Sequence, residues 1–206
     1  TPMTTQGQID YSGLQRLVDF HLENGTAGLV LMGTTGEAAT ISLDEQLDVL
    51  RAVIAQVKGK MALVAGNGAN DTAEAVRKTK IMSTLAIDGF LTVTPYYNKP
   101  TQKGMLLHYK AVAAATDKAV LLYNVPGRTG VDMQASTVAE LATVSNIVGI
   151  KEATGSMARL AELQQCCPAD FLLLSGDDAS AAQFMLQGGQ GVISVTTNVA
   201  PKAMAE

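Results

Sequence analysis

The chain has 206 residues, 47% of them hydrophobic and 17% charged, which suits one globular domain with a substantial core. Its 15 Lys and Arg against 19 Asp and Glu leave it mildly acidic without runs of like charge, so no basic stripe invites nucleic acid or anionic lipid. No apolar stretch approaches the roughly 18 to 20 residues of a membrane span and no signal-peptide pattern opens the chain, so no membrane partner and a cytoplasmic location are expected.

The predicted elements alternate. A helix over residues 12–24 comes first, then an apolar strand at 27–33 and the turn Gly33-Thr34-Thr35-Gly36-Glu37. Leu43, Leu47, Leu50, Ile54 and Val57 recur at helical spacing behind a Ser42 to Glu45 capping box. A strand at 61–67 leads to a second box, Asp71 to Glu74, and a strand at 89–95 leads to a helix at 103–116. Strands at 119–126, 147–153, 171–178 and 191–196 then alternate with helices at 134–144, 156–165 and 180–187.

Strands separated by helices must run parallel through right-handed crossovers. Barrel or open sheet is then the choice. The residues that carry chemistry follow many different strands, and a closed barrel gathers such residues around one mouth where an open sheet would string them along an edge. A (β/α)8 TIM barrel is therefore expected, with residues 1–206 as a single barrel domain. Seven strands are visible and the chain opens on a helix, so the first strand is expected before Thr1 and the C-terminal helical region after Glu206.

The only cysteines, Cys166 and Cys167, are adjacent. Sequence neighbours rarely reach disulfide geometry, so both read as reduced residues near a helix end. His21 and His108 lie far apart in helical patterns without companion ligands, and no metal site is expected.

Lys151 closes the apolar run Ile147-Val148-Gly149-Ile150 and precedes Glu152. At the carboxyl end of a barrel strand, desolvation lowers an amine pKa toward neutrality and makes a lysine a nucleophile. The alternative is a strand ending in a solvated Lys-Glu pair. The Gly33 to Glu37 turn offers amides and the hydroxyls of Thr34 and Thr35 to a carboxylate, or is a plain βα turn. Tyr96 and Tyr97 sit between Pro95 and Pro100 in a stiff loop, as proton-transfer phenols or as packing and interface residues. Tyr123 lies at a strand end and needs a partner if buried, and Arg128 suits a bidentate carboxylate contact. Together these supply an amine, a proton shuttle and carboxylate donors, the inventory for imine chemistry on a 2-oxo acid.

The segments GTTGE, TPYYNKP, YNVPGRTG and GIKEATG resemble the dihydrodipicolinate synthase (4-hydroxy-tetrahydrodipicolinate synthase) family, over essentially the whole chain. The resemblance implies a homotetrameric barrel, a dimer of dimers, that joins pyruvate to L-aspartate-4-semialdehyde in lysine and diaminopimelate synthesis. No cofactor is implied beyond the covalent imine of pyruvate with Lys151. It makes Lys151 the Schiff-base nucleophile and Tyr123 the proton donor and acceptor, with Thr34 and Tyr97 completing a relay, Tyr97 from a neighbouring subunit. Thr35 and the Ile193 backbone would meet pyruvate, Arg128 the semialdehyde carboxylate, and Gly176 and Asp177 would line the entrance. Ala39, Asn70, Glu74 and Tyr96 match a lysine effector site of sensitive members, while Leu43 and Gln46 stand where histidine is frequent. Lys151, Tyr123 and the Gly-Thr-Thr-Gly-Glu turn equally suit a pyruvate-dependent sugar-acid aldolase or lyase, which Arg128 and the Tyr96-Tyr97 pair argue against. The alternative from a different class is a segment whose open barrel is inactive alone.

Overall fold

The computed structural model describes all residues from Thr1 to Glu206. Helix α1 (Tyr11–Glu23) begins where the Asp10 carboxylate accepts the Gly13 N–H at 2.9 Å, which satisfies one of the amides that a helix start leaves without a partner. Strand β1 (Gly28–Leu31) follows, and helix α2 (Leu43–Val57) comes after a single 3-10 turn, Ala38–Thr40. The predicted capping box opens α2. Ser42 N–H donates to Glu45 Oε2 at 3.0 Å, and Glu45 N–H donates to Ser42 Oγ at 3.4 Å, an arrangement worth about 1 kcal/mol.

Strand β2 (Ala62–Gly66) leads to helix α3 (Thr72–Met82). Here the structure departs from the expected reciprocal box. Asp71 accepts the N–H groups of Ala73 and Glu74, but the Glu74 carboxylate does not return to the cap. Arg77, one turn on, donates to both of its oxygens at 2.7 and 2.8 Å. A charged fork outcompetes a single backbone amide for a carboxylate.

The remaining elements are β3 (Gly89–Val93), α4 (Gln102–Ala113), β4 (Ala119–Asn124), α5 (Pro126–Thr129), α6 (Ala135–Leu141) and β5 (Ile147–Glu152). They are followed by α7 (Met157–Cys166), β6 (Leu172–Ser175), α8 (Ala181–Leu186), β7 (Gly191–Val192) and α9 (Pro201–Ala205). Seven parallel strands pair in sequence order, with β1 and β7 at the two edges. The result is the greater part of a TIM barrel, open along one flank.

Two boundaries differ from expectation for identifiable reasons. The apolar run through Pro126 is strand only to Asn124, because Pro126 takes the first position of the short helix α5, where its missing N–H costs nothing. The last strand stops at Val192 instead of Thr196. Asp178 Oδ2 accepts the Val195 and Thr196 N–H groups at 3.0 and 2.8 Å and turns that segment away from the ladder.

The period of two along each strand divides its side chains between two packings. Leu91, Tyr123 and Val125 pack inside with Val30, Val64 and Ile193. Val120, Leu122, Ile150 and Leu173 face outward into the helix layer, where Leu141, Leu160 and Leu163 bury against them. Each such leucine contributes about 2 kcal/mol. Rigid strands therefore present their carboxyl ends to one face.

Candidate active site

Tyr123 and Lys151 are register partners on the neighbouring strands β4 and β5. Both side chains turn inward, and Lys151 Nζ lies 4.3 Å from the centroid of the Tyr123 ring. Burial pulls the Lys151 pKa down from 10.5 to about 8, with Asp178 opposing this and Arg128 adding to it. An amine with that value is neutral in roughly a tenth of molecules at pH 7, against about one in 3,000 for an unperturbed lysine. Burial pushes the Tyr123 phenol up, and the nearby Thr34 hydroxyl and Arg128 charge hold it back. Thr34 and Tyr123 are thus neighbours, though no hydrogen bond closes between them.

Gly176 explains how Lys151 fits. A methyl group built on it would stand 2.8 Å from Lys151 Cε and 3.0 Å from Cγ, so the lysine stem runs where a side chain would otherwise be. This is a positional demand for glycine that depends on space and not on backbone angle.

These groups border a cavity of about 1240 Å³, which continues along the open flank beside β1 and β7. Thr34, Thr35, Arg128, Asp177 and Ile193 all face it, as do Ala39, Glu74 and Tyr96 at a further wall. Met32 and Glu37 bracket the threonine turn with φ of 59° and 57°. For non-glycine residues this is a strained, left-handed conformation, of a kind concentrated at functional turns. The turn ends in the 3-10 segment and not in α2 itself, so its own amides and hydroxyls, rather than a long helix dipole, would hold an anion.

Two predicted residues stand apart from this cavity. Tyr97 is 88% exposed with φ of 75°, and its phenol does not approach Tyr123 or Thr34 within the chain. Its N–H donates to Thr129 O at 3.3 Å, which ties its loop to α5. Asn70 lies behind the same loop, where its carbonyl accepts from Asn98 Nδ2 at 2.9 Å. The Glu74 carboxylate is occupied by Arg77, as described above.

Glu152 is 2% exposed, so the alternative of a solvated Lys-Glu pair does not hold. Asp178 is a residue that the sequence reading passed over. One of its oxygens holds the Val195–Thr196 turn, the other is buried without a partner, and its charge acts on Lys151. Its place after Gly176-Asp177, at a strand end, was the available signal.

The sequence pattern of the Dihydrodipicolinate synthetase family matches residues 1–206. The chain belongs to this family. It is 55% identical over 203 residues to the 4-hydroxy-tetrahydrodipicolinate synthase of a Shewanella species, covering 98% of this chain and 69% of that protein. Among solved structures, a chloride-inhibited dihydrodipicolinate synthase from Acinetobacter baumannii complexed with pyruvate superposes with a TM-score of 0.97 at 48% identity, over 100% of this chain and 70% of that one. The enzyme from Cyanidioschyzon merolae with lysine bound gives 0.96 at 40% identity, over 99% and 70%. The inward Lys151 and Tyr123 therefore stand in a family whose solved members include a pyruvate complex. No helix of the chain is long and apolar enough to cross a membrane.

Proposed function

We propose that the chain carries the site of a 4-hydroxy-tetrahydrodipicolinate synthase, which joins pyruvate to L-aspartate-4-semialdehyde in lysine and diaminopimelate synthesis. The observation that carries the reading is Lys151 itself: half-buried, with desolvation drawing its pKa down to about 8, and 4.3 Å from a phenol ring. A neutral amine is needed to attack a ketone.

The neutral Lys151 Nζ adds to C2 of pyruvate, and the carbinolamine loses water to give the iminium. Tyr123 supplies and takes back the protons of these steps, with Thr34 beside it and Tyr97 as the third member of the relay. Loss of a C3 proton makes the enamine, whose C3 attacks the aldehyde carbon of the second substrate. The amino group of that substrate then attacks the imine carbon, closes the ring and releases Lys151. No cofactor enters this sequence.

Thr35 and the Ile193 backbone hold the pyruvate carboxylate, and Arg128 receives the semialdehyde carboxylate at the mouth, with Gly176 and Asp177 lining the entrance. Separate donors for two carboxylates hold the reacting carbons together and convert a bimolecular step into a local one. The exposure of Tyr97 supports delivery of its phenol to a neighbouring copy, and we infer a homotetramer built as a dimer of dimers in the cytoplasm.

Incubation of the protein with pyruvate and borohydride, followed by peptide mass spectrometry, tests the nucleophile. A reduced adduct on the peptide containing Lys151 is expected. An adduct elsewhere, or none on the folded full-length protein, overturns the mechanism. Faster cleavage of sugar acids than turnover of the semialdehyde would move the protein to the aldolase and lyase branch.

A further inference from the structure

Behind Tyr123 and Lys151, the next register pair on the same strands is Asn124 with Glu152, both buried. Their side chains point outward, away from the cavity, as the alternation of a strand requires. Asn124 Nδ2 donates to Glu152 Oε2 at 3.0 Å and to Asp132 Oδ1 at 2.8 Å, and Asn124 Oδ1 accepts the Met133 N–H at 3.0 Å. One side chain at the end of β4 thus grips the chain where it returns after α5. The loop between carries Arg128.

Arg159, on the first turns of α7, completes the grip. It donates to both oxygens of Asp132 at 3.0 and 2.9 Å and to Met133 O at 2.8 Å, and it lies 3.8 Å from Glu152 Oε2. Its side chain is only 15% exposed. A planar guanidinium spends its donors here in a fixed fork that a lysine ammonium does not reproduce. Within the loop, Thr129 Oγ1 donates to Val131 O at 2.9 Å, and Thr129 O accepts the Tyr97 N–H. The arginine at the cavity mouth and the exposed tyrosine both hang from this one clamp.

We propose that Arg159 is a positioning residue for the second substrate: through Asp132, Met133 and Asn124 it closes the base of the loop that presents Arg128, and so sets where the carboxylate of the semialdehyde docks relative to Lys151. The assignment rests on the role given to Arg128 above. None of the clamp side chains faces the reacting atoms, so its effect is on geometry and not on chemistry. Displacement of a binding group by about 1 Å is enough to cost as much as about 100-fold.

The test uses Arg159→Lys and the milder Asp132→Asn in the full-length protein, with trapping of the pyruvate imine beside steady-state kinetics. In both variants KM for the semialdehyde should rise about 10-fold or more, while KM for pyruvate and the rate of imine trapping stay within about twofold. Should Arg159→Lys not fold, Asp132→Asn gives the same reading. Equal rises in both KM values, a fall in kcat alone, or unchanged kinetics overturns the positioning role. Absence of an adduct on the unsubstituted protein overturns the proposed reaction and this assignment with it, whereas a normal adduct with an unmoved KM overturns the clamp alone.

Discussion

Lys151 and Tyr123 face each other across one rung of a parallel ladder, the amine 4.3 Å from the centroid of the phenol ring. Backbone hydrogen bonds on both strands hold this pair, so amine and phenol are aligned before any ligand arrives. The ring face also attracts the ammonium form, which offsets part of the desolvation that favours the neutral amine.

The pH dependence follows from the lowered value at Lys151. The neutral amine is the reactive form, so kcat/KM should climb tenfold per pH unit below about 8 and flatten above it. Removing the Arg128 charge should move this limb to higher pH, and Asp178→Asn should move it lower, because Arg128 disfavours the ammonium and Asp178 favours it. A limb that stays fixed in both variants would show that another group controls it. Profiles of the rate of pyruvate-imine trapping against pH, which need no semialdehyde, make the measurement in the two variants.

The same shift has a stability consequence. A lysine whose folded pKa lies below its unfolded 10.5 binds fewer protons when folded, so stability rises with pH between about 8 and 10.5, and the full cost of the buried ammonium is present below about 8. Replacing Lys151 by Met should abolish adduct formation and raise stability at pH 7, and Tm with it, by on the order of 1 to 3 kcal/mol, a margin that shrinks as the pH is raised. Calorimetry at pH 7 and pH 10 reads the difference. A lower Tm at pH 7 would mean that packing of the lysine stem outweighs its charge.

Tyr123→Phe keeps the ring under Lys151 and removes only the hydroxyl. Turnover should fall by about 100-fold or more, with the melting temperature nearly unchanged because the phenol has no hydrogen bond of full geometry to lose. Full turnover in this variant would assign proton transfer elsewhere.

Gly176→Ala places a methyl group 2.8 Å from Lys151 Cε and the same distance from Ala153 Cβ. Displacement of the lysine stem should slow imine trapping strongly, with overpacking costing about 1 to 3 kcal/mol. Trapping at the normal rate would show that the stem has room to move.

Lysine should inhibit weakly. The Glu74 carboxylate, which the family resemblance places in an effector site, is held at 2.7 and 2.8 Å by Arg77, a charge that competes with an incoming ammonium. Leu43 and Gln46 supply no imidazole there. Titration of lysine against the full-length enzyme checks this, and Arg77→Ala should sharpen the response. Inhibition at micromolar lysine in the unsubstituted enzyme would contradict it.

The alternation of strands and helices, the capping box at Ser42 and the candidates Lys151, Tyr123 and Arg128 were readable because each rests on local rules. Apolar period, cap chemistry and the end of an apolar run need only a few neighbouring residues. Local rules also misled at Asp71, where the i to i+3 pattern fits a box but Arg77 takes the glutamate. They misled again at residues 193–196, where the run continues as a strand until Asp178 captures its amides.

The residue order alone settled which side chains reach a strand end, since the end of an apolar run is a local feature. What Gly176 makes room for, why Glu152 is buried, and how Asn124, Asp132 and Arg159 come to share one set of hydrogen bonds were decided only by the fold. Those contacts join residues up to 28 positions apart along the chain, such as Asn124 with Glu152, and their geometry exists only after parallel pairing has set the register. Desolvation of Lys151 belongs to the same class: burial is a property of the assembled barrel, and no spacing along the chain encodes it.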